Sequence, residues 1–283
     1  MIVDFRLRPP FGSFKRARMF AEPDRTAGMC KTTGMRPAPS LIAGSVDLAL
    51  AEMKSAGITL GVLPCRSGAG PFGEVSNAEV GEFVREHSDS FVGFAAPDPS
   101  DLKAAPKALT DLLARPEFCG VVLEPGLWPT PLYSDDEAVY PIYEQCQALN
   151  APVIIMAGGN AGPDITYTAP AAIDRVARDF PNLRIVATHG GWPWVTEILH
   201  VAFRRPNLFI SPDVYIFGLP GWRDYVDAGN GFLQDRLLFA SAYPFGPMPD
   251  SVDRFKDLFE ERVLPKLLYQ NALTVLNISE PKR

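Results

Sequence analysis

The chain has 283 residues, 47% of them hydrophobic and 21% charged, with a formal net charge of -6. Such a length and composition support a sizeable core and exclude a disordered chain, and the acidic balance argues against a nucleic-acid or anionic-membrane partner. No apolar run approaches the roughly 18 residues of a membrane span, and no secretion signal opens the chain. The scattered Cys30, Cys65, Cys119 and Cys146, with no CxxC pair, read as free thiols of a reducing, cytoplasmic compartment.

Ile2 and Val3 open an apolar run, after which Asp4, Arg6 and Arg8 fall on alternate positions. Alternate residues of a strand share a face, so one acid and two arginines are expected along one side. Buried charges are costly unless paired or bound. The strand therefore either lies at an edge with its arginines in solvent, or ends in a ligand pocket. Residues 11–39 follow, locally basic and without clear periodicity. A stretch of this length is expected to be a functional lid, a subunit contact or a plain surface excursion. Phe11, Phe14, Met19 and Phe20 are too apolar for a linker and would suit a homodimer contact.

From there the pattern is regular. Helices are expected over 45–56, stopped by Gly57, and from the capping box Ser76-Asn-Ala-Glu79 to His87. Others are expected over 102–113 despite Pro106, and from a second capping box, Ser134-Asp-Asp-Glu137, to Leu149. Thr168 is expected to cap a helix to Phe180 with Pro170 in its first turn, followed by helices over 194–203, 222–228, 251–261 and 265–276. Between them lie short apolar runs at 58–63, 91–96, 120–123, 152–156, 183–188, 207–211 and 236–239. With the first strand these make eight strands, each followed by helix. Strict alternation with near-continuous apolar strands predicts a parallel sheet covered on both faces. Eight units predict a single-domain α/β fold, a (β/α)8 TIM barrel over 1–283. An open doubly wound sheet is the alternative, and no GxGxxG or GxxxxGK[ST] phosphate loop supports it.

Barrel chemistry sits at the C-terminal ends of the strands. Read in order, those ends carry Asp4, Arg6 and Arg8; Arg66; Asp98; Glu124; Met156 and the loop through Asn160 to Tyr167; His189 and Trp192; Asp213 and Tyr215; and Ala242 and Tyr243.

The phrases Asp4-x-Arg-x-Arg8, Thr188-His-Gly-Gly-Trp-Pro193, Leu237-Leu-Phe-Ala-Ser-Ala-Tyr-Pro-Phe245 and Asn271-Ala resemble the amidohydrolase-related branch of the amidohydrolase superfamily. That branch contains the carboxymuconate-semialdehyde decarboxylases and pyrone dicarboxylate lactonases. The resemblance implies a (β/α)8 barrel acting on small, often aromatic-derived carboxylates. It also implies metal ligands that are replaced here. The branch has Asp-x-His-x-His on strand one, a histidine where Met156 stands and an aspartate where Ala242 stands, so only His189 of the usual set remains. A zinc site needs about three or four ligands, and two guanidiniums would repel a dication. No catalytic metal and no cofactor are expected. The missing aspartate is also the general base of the branch's metal-independent lactonases.

Guanidinium forks match carboxylates, so Arg6, Arg8 and Arg66 are expected to bind a small anionic substrate. Alternatively, Asp4 and Glu124 neutralise them in a structural cluster. His189 is the natural proton-transfer group, with Asp213 first and Glu124 second as candidate bases. Asn160, Tyr167, Trp192, Tyr215 and Tyr243 are candidate substrate contacts, and backbone N–H groups of 158–162 could meet an anion. The leading expectation is a metal-independent hydrolase of a lactone or cyclic ester. The alternatives are a metal-independent lyase (decarboxylase or hydratase) and an inactive carboxylate-binding barrel.

Overall fold

The computed structural model describes residues 1–68 and 70–279. Seven parallel strands run in chain order: β1 (Val3–Asp4), β2 (Leu60–Pro64), β3 (Phe91–Ala95), β4 (Phe118–Leu123), β5 (Val153–Met156), β6 (Ile185–Thr188) and β7 (Leu208–Ile210). They are apolar because the barrel interior covers one face and helices the other; every residue of β5 and β6 is buried. Packing between neighbours is close. A Cβ on Gly120 in β4 would lie 2.4 Å from the Phe94 ring and 2.7 Å from the Pro152 carbonyl oxygen.

The eighth segment, 236–239, is reduced to one parallel bridge between Ile210 and Leu237. Ile210 N–H donates to the Arg236 carbonyl at 2.9 Å, Leu238 N–H to the Ile210 carbonyl at 2.9 Å, and Phe5 N–H to the Phe239 carbonyl at 3.1 Å. The segment thus lies between β7 and β1, and the TIM barrel expected from the alternation is the observed architecture. It falls short of a full strand because Phe239 N–H turns to the Leu267 carbonyl, 3.0 Å away. Ser241 N–H, likewise, goes to Asp4 Oδ1 at 3.0 Å instead of to the β1 backbone.

Capping signals worked where nothing competed. Ser76 Oγ accepts from the N–H groups of Ala78 and Glu79 and opens the helix Asn77–Glu86. The second box does not act: the helix there is Tyr140–Ala148 with Pro141 in its first turn, and the Ser134 carbonyl accepts from the Tyr143 hydroxyl at 2.8 Å. Pro106 similarly starts Ala105–Leu113 late. The Thr168 hydroxyl donates back to the Ile165 carbonyl, leaving Ala169 as N-cap of Pro170–Asp179. Proline fits a first turn because its missing N–H is unneeded there.

Residues 11–39 are not irregular. They form the helices Gly12–Arg16, Arg18–Ala21 and Pro23–Thr32, followed by Pro39–Ala43. These pieces of 5, 4, 10 and 5 residues are too short for a helical period to stand out. Their apolar side is used: Phe14, Met19, Phe20 and Cys30 are buried. All four cysteines are free thiols. No helix among the described residues is long and apolar enough to cross a membrane.

Asp4 staples the seam between β1 and the eighth segment. Its carboxylate accepts from the N–H groups of Arg6 (3.1 Å) and Ser241 (3.0 Å) and from the Ser241 hydroxyl. Burial nevertheless pushes its pKa up to about 6. An acid that holds its proton more tightly folded than unfolded weakens the fold as it ionises. Relative to D4N, the wild type is therefore expected to lose about 3 kcal/mol of stability between about pH 4 and pH 7. Denaturant unfolding of both proteins across that range checks this, and parallel profiles would contradict it.

Candidate active site

Past β1 the chain stays extended, with Leu7 N–H bonded to the Val62 carbonyl at 2.9 Å. Alternation is preserved: Phe5 and Leu7 enter the core, while Asp4, Arg6 and Arg8 share the other side, all buried. Arg6 Nη1 lies 2.7 Å from His189 Nε2 and 2.8 Å from Asp213 Oδ2. A guanidinium only donates, so His189 Nε2 accepts and the ring proton sits on Nδ1. Burial, then the charges of Arg6, Arg8 and Arg66, hold the imidazole pKa far below its ordinary range, so His189 is neutral. The Gly158 backbone pulls weakly the other way without closing a hydrogen bond to Nδ1.

Asp213 is fully engaged. Its Oδ1 accepts from the Ser211 hydroxyl at 2.7 Å and its Oδ2 also accepts from His189 N–H at 3.3 Å. His189 (φ +58°), Asp213 (φ +55°) and Ala242 (φ +52°) all hold left-handed backbone, which costs non-glycine residues about 1–2 kcal/mol each. Strain at three successive strand ends marks the place where side-chain direction is imposed by the surroundings.

The other two arginines are held differently. Arg66 grips Glu124 in a bidentate pair, its Nη2 donating to Oε1 at 2.9 Å and its Nε to Oε2. Burial raises the Glu124 pKa, but Arg66, Arg6 and Arg8 outweigh it, and the carboxyl lies below its usual range. Arg8 donates only to backbone: Nε to the Tyr243 carbonyl at 2.9 Å and Nη2 to the Ala242 carbonyl at 2.5 Å, with Phe245 stacked 5.3 Å away. Among the described residues no carboxylate pairs with it.

These groups meet a cavity of about 340 Å³ whose lining carries five arginines and no carboxylate. Arg6, Arg8, Arg66, Asn160, His189, Trp192 and Tyr215 line it. Trp192 and Tyr215 stack at 5.3 Å, and burial pushes the Tyr215 phenol up to about 12. The remaining expected residues stand outside the lining. Asp4 belongs to the barrel seam and Asp213 lies beneath Arg6. The Tyr243 hydroxyl shares a hydrogen bond with Ser40 Oγ at 2.7 Å. Tyr167 stacks on Tyr133 at 4.5 Å. Glu124 borders a separate void of about 10 Å³ with Arg6, Met156 and Thr188. Residues 18–33 supply further lining, including Arg18, Met19, Arg25 and Met29; the local basicity of 11–39, its apolar residues and its length were the signals for it, without showing which side chains reach the cavity.

The donor set does not fit a divalent metal. His189, the one residue that the resemblance leaves as a metal ligand, gives its Nε2 to a guanidinium, and among the described residues no group of three or more His, Cys, Asp or Glu could hold an ion.

The family model described as amidohydrolase matches residues 43–278. No curated protein matches the chain. An uncharacterised TIM-barrel protein of Bordetella bronchiseptica is 44% identical, with 98% of each chain covered and a TM-score of 0.93. At lower identity the fold recurs in a dihydroxybenzoic acid decarboxylase of Polaromonas with bound manganese and an inhibitor (18%, 83% and 86% covered, TM-score 0.67). It recurs again in the 4-oxalomesaconate hydratase of Rhodopseudomonas palustris (21%, 98% and 96% covered, TM-score 0.65).

The Arg6–Asp213 pair makes a direct stability prediction. Arg6→Met strands a buried carboxylate and is expected to cost about 3–5 kcal/mol, whereas Arg6→Met with Asp213→Leu recovers most of that loss. Denaturant unfolding of the double-mutant cycle measures both, and additive losses would contradict the coupling.

Proposed function

The chain belongs to the amidohydrolase family, and we propose that it is a metal-independent hydrolase of that family, opening a lactone or cyclic ester of a small carboxylate-bearing substrate. The observation that carries this reading is the void between Glu124, Arg6 and Thr188, about 10 Å³. That is about the room one water needs, and among its mostly apolar walls Glu124, Arg6 and Thr188 are the polar groups it could meet. Arg6 and Met156 border both this void and the main cavity, so a water held there stands next to a bound substrate.

Arg8, free of carboxylate partners among the described residues, takes the substrate carboxylate. Arg6 donates to the ester carbonyl oxygen, where negative charge grows as the tetrahedral intermediate forms. Glu124, ionised at neutral pH, accepts a proton from the water as its oxygen bonds to the carbonyl carbon. The ring C–O bond then breaks, and the leaving oxygen takes up that proton. His189, neutral and fixed by Arg6, orients the guanidinium. Asp213 is a positioning residue on this reading, because it borders neither the cavity nor the void beside Glu124 and holds Arg6 in place.

A second reading is a lyase, favoured by a separate observation. Asp213 and Glu124 are both committed to arginines, while the neutral His189 ring lines the cavity and is the remaining proton-bearing group there for a carbanion left by departing carbon dioxide. The decarboxylase and hydratase of similar fold make that chemistry a natural comparison. Product mass separates the two readings, since hydrolysis adds water and decarboxylation removes carbon dioxide.

Two outcomes are expected in a screen of carboxylated lactones. Glu124→Gln lowers kcat about 10²–10⁴-fold with KM little changed; a change confined to KM would remove Glu124 from water activation. Turnover survives prolonged dialysis against a chelator, and a loss restored by a divalent cation would overturn metal independence.

A further inference from the structure

Arg18 and Arg25 line the same cavity as Arg6, Arg8 and Arg66 but come from elsewhere in the chain. They stand on the helices Arg18–Ala21 and Pro23–Thr32, ahead of the residues that match the family. The Arg6 side chain is 6% exposed, whereas those of Arg18 and Arg25 are 37% and 42% exposed, which puts them at the mouth. Both lean on one carboxylate. Arg18 Nε donates to the two Glu22 oxygens at 3.0 Å each, and Arg25 Nε stands 3.8 Å from Glu22 Oε2.

The backbone beneath them is anchored. Arg18 N–H donates to the Phe72 carbonyl at 3.1 Å, the Thr26 hydroxyl to the Met19 carbonyl at 2.7 Å, and Met19, Phe20 and Cys30 are buried. A fixed backbone with half-exposed guanidinium ends lets the arginines exchange one anion for another without unfolding anything. Two guanidiniums sharing one carboxylate leave a positive charge uncompensated at the mouth, as Arg8 leaves one at the floor. Met19, Met29, Phe72 and Trp192 supply an apolar wall in the same cavity.

We propose that Arg18 and Arg25 form a second anion subsite, so that the substrate of this cavity carries two carboxylates on an apolar or unsaturated body. Arg8 holds the inner carboxylate, and the outer one draws Arg18 and Arg25 away from Glu22. Glu22 is then specificity-determining. It competes for the clamp, and a ligand with a single carboxylate cannot displace it. This rests on the reading that the cavity takes carboxylates.

Calorimetry with isophthalate, terephthalate and adipate against benzoate and hexanoate tests it on the intact chain. At least one dicarboxylate is expected to bind about tenfold tighter than its monoacid, the scale of one charge-assisted contact. Arg18→Gln with Arg25→Gln should abolish that preference while monoacid affinity holds. Glu22→Gln should strengthen dicarboxylate binding severalfold and leave monoacids alone, the opposite sign to loss of a merely structural ion pair. A wild type without the preference, a preference that survives in the double variant, or weaker dicarboxylate binding in E22Q would each overturn the clamp. If monoacids bind and Arg8→Gln abolishes that binding while no dicarboxylate preference exists, the clamp fails and the carboxylate cavity stands. If no carboxylate binds at all, both fall.

Discussion

The site depends on one guanidinium. Arg6 touches His189 Nε2 and Asp213 Oδ2 with the same nitrogen, and because it can only donate it sets the histidine tautomer. It adds to the burial that keeps the imidazole neutral and supplies the buried Asp213 with its counter-ion. In a low-dielectric interior such a fixed cation is much stronger than it would be in water. It also engages the one histidine that the family resemblance leaves as a metal ligand.

Around that centre the carboxylates are consumed by pairing. Asp213 belongs to Arg6, Glu124 to Arg66, and Asp4 to the seam with Ser241. What remains facing the cavity is cationic, since five arginines line it and no acid does. Burying Arg8 against two carbonyls and a ring, with no carboxylate partner among the described residues, costs free energy. On the proposed reading, a bound anion offsets that cost.

The helices of residues 12–32 carry this logic to the mouth. Their buried residues pin them to the barrel, and their arginines reach the same cavity as those past β1. Local basicity was visible in the sequence, but which of its arginines faced the cavity was not, because pieces of 4 to 10 residues leave no readable period.

Strand and helix alternation, the barrel and the alternate placement of Asp4, Arg6 and Arg8 were legible in the chain itself, because periodicity and burial are properties of neighbouring residues. The cap at Ser76 was legible for the same reason, while Ser134 and Thr168 lost to proline-started turns nearby. What each charged group does was not legible. Arg6 meets His189 and Asp213 across 183 and 207 residues, and Arg66 meets Glu124 across 58. Only closure of the ring decides such pairings, and with them which charges are paired within the fold and which face the cavity without a carboxylate partner.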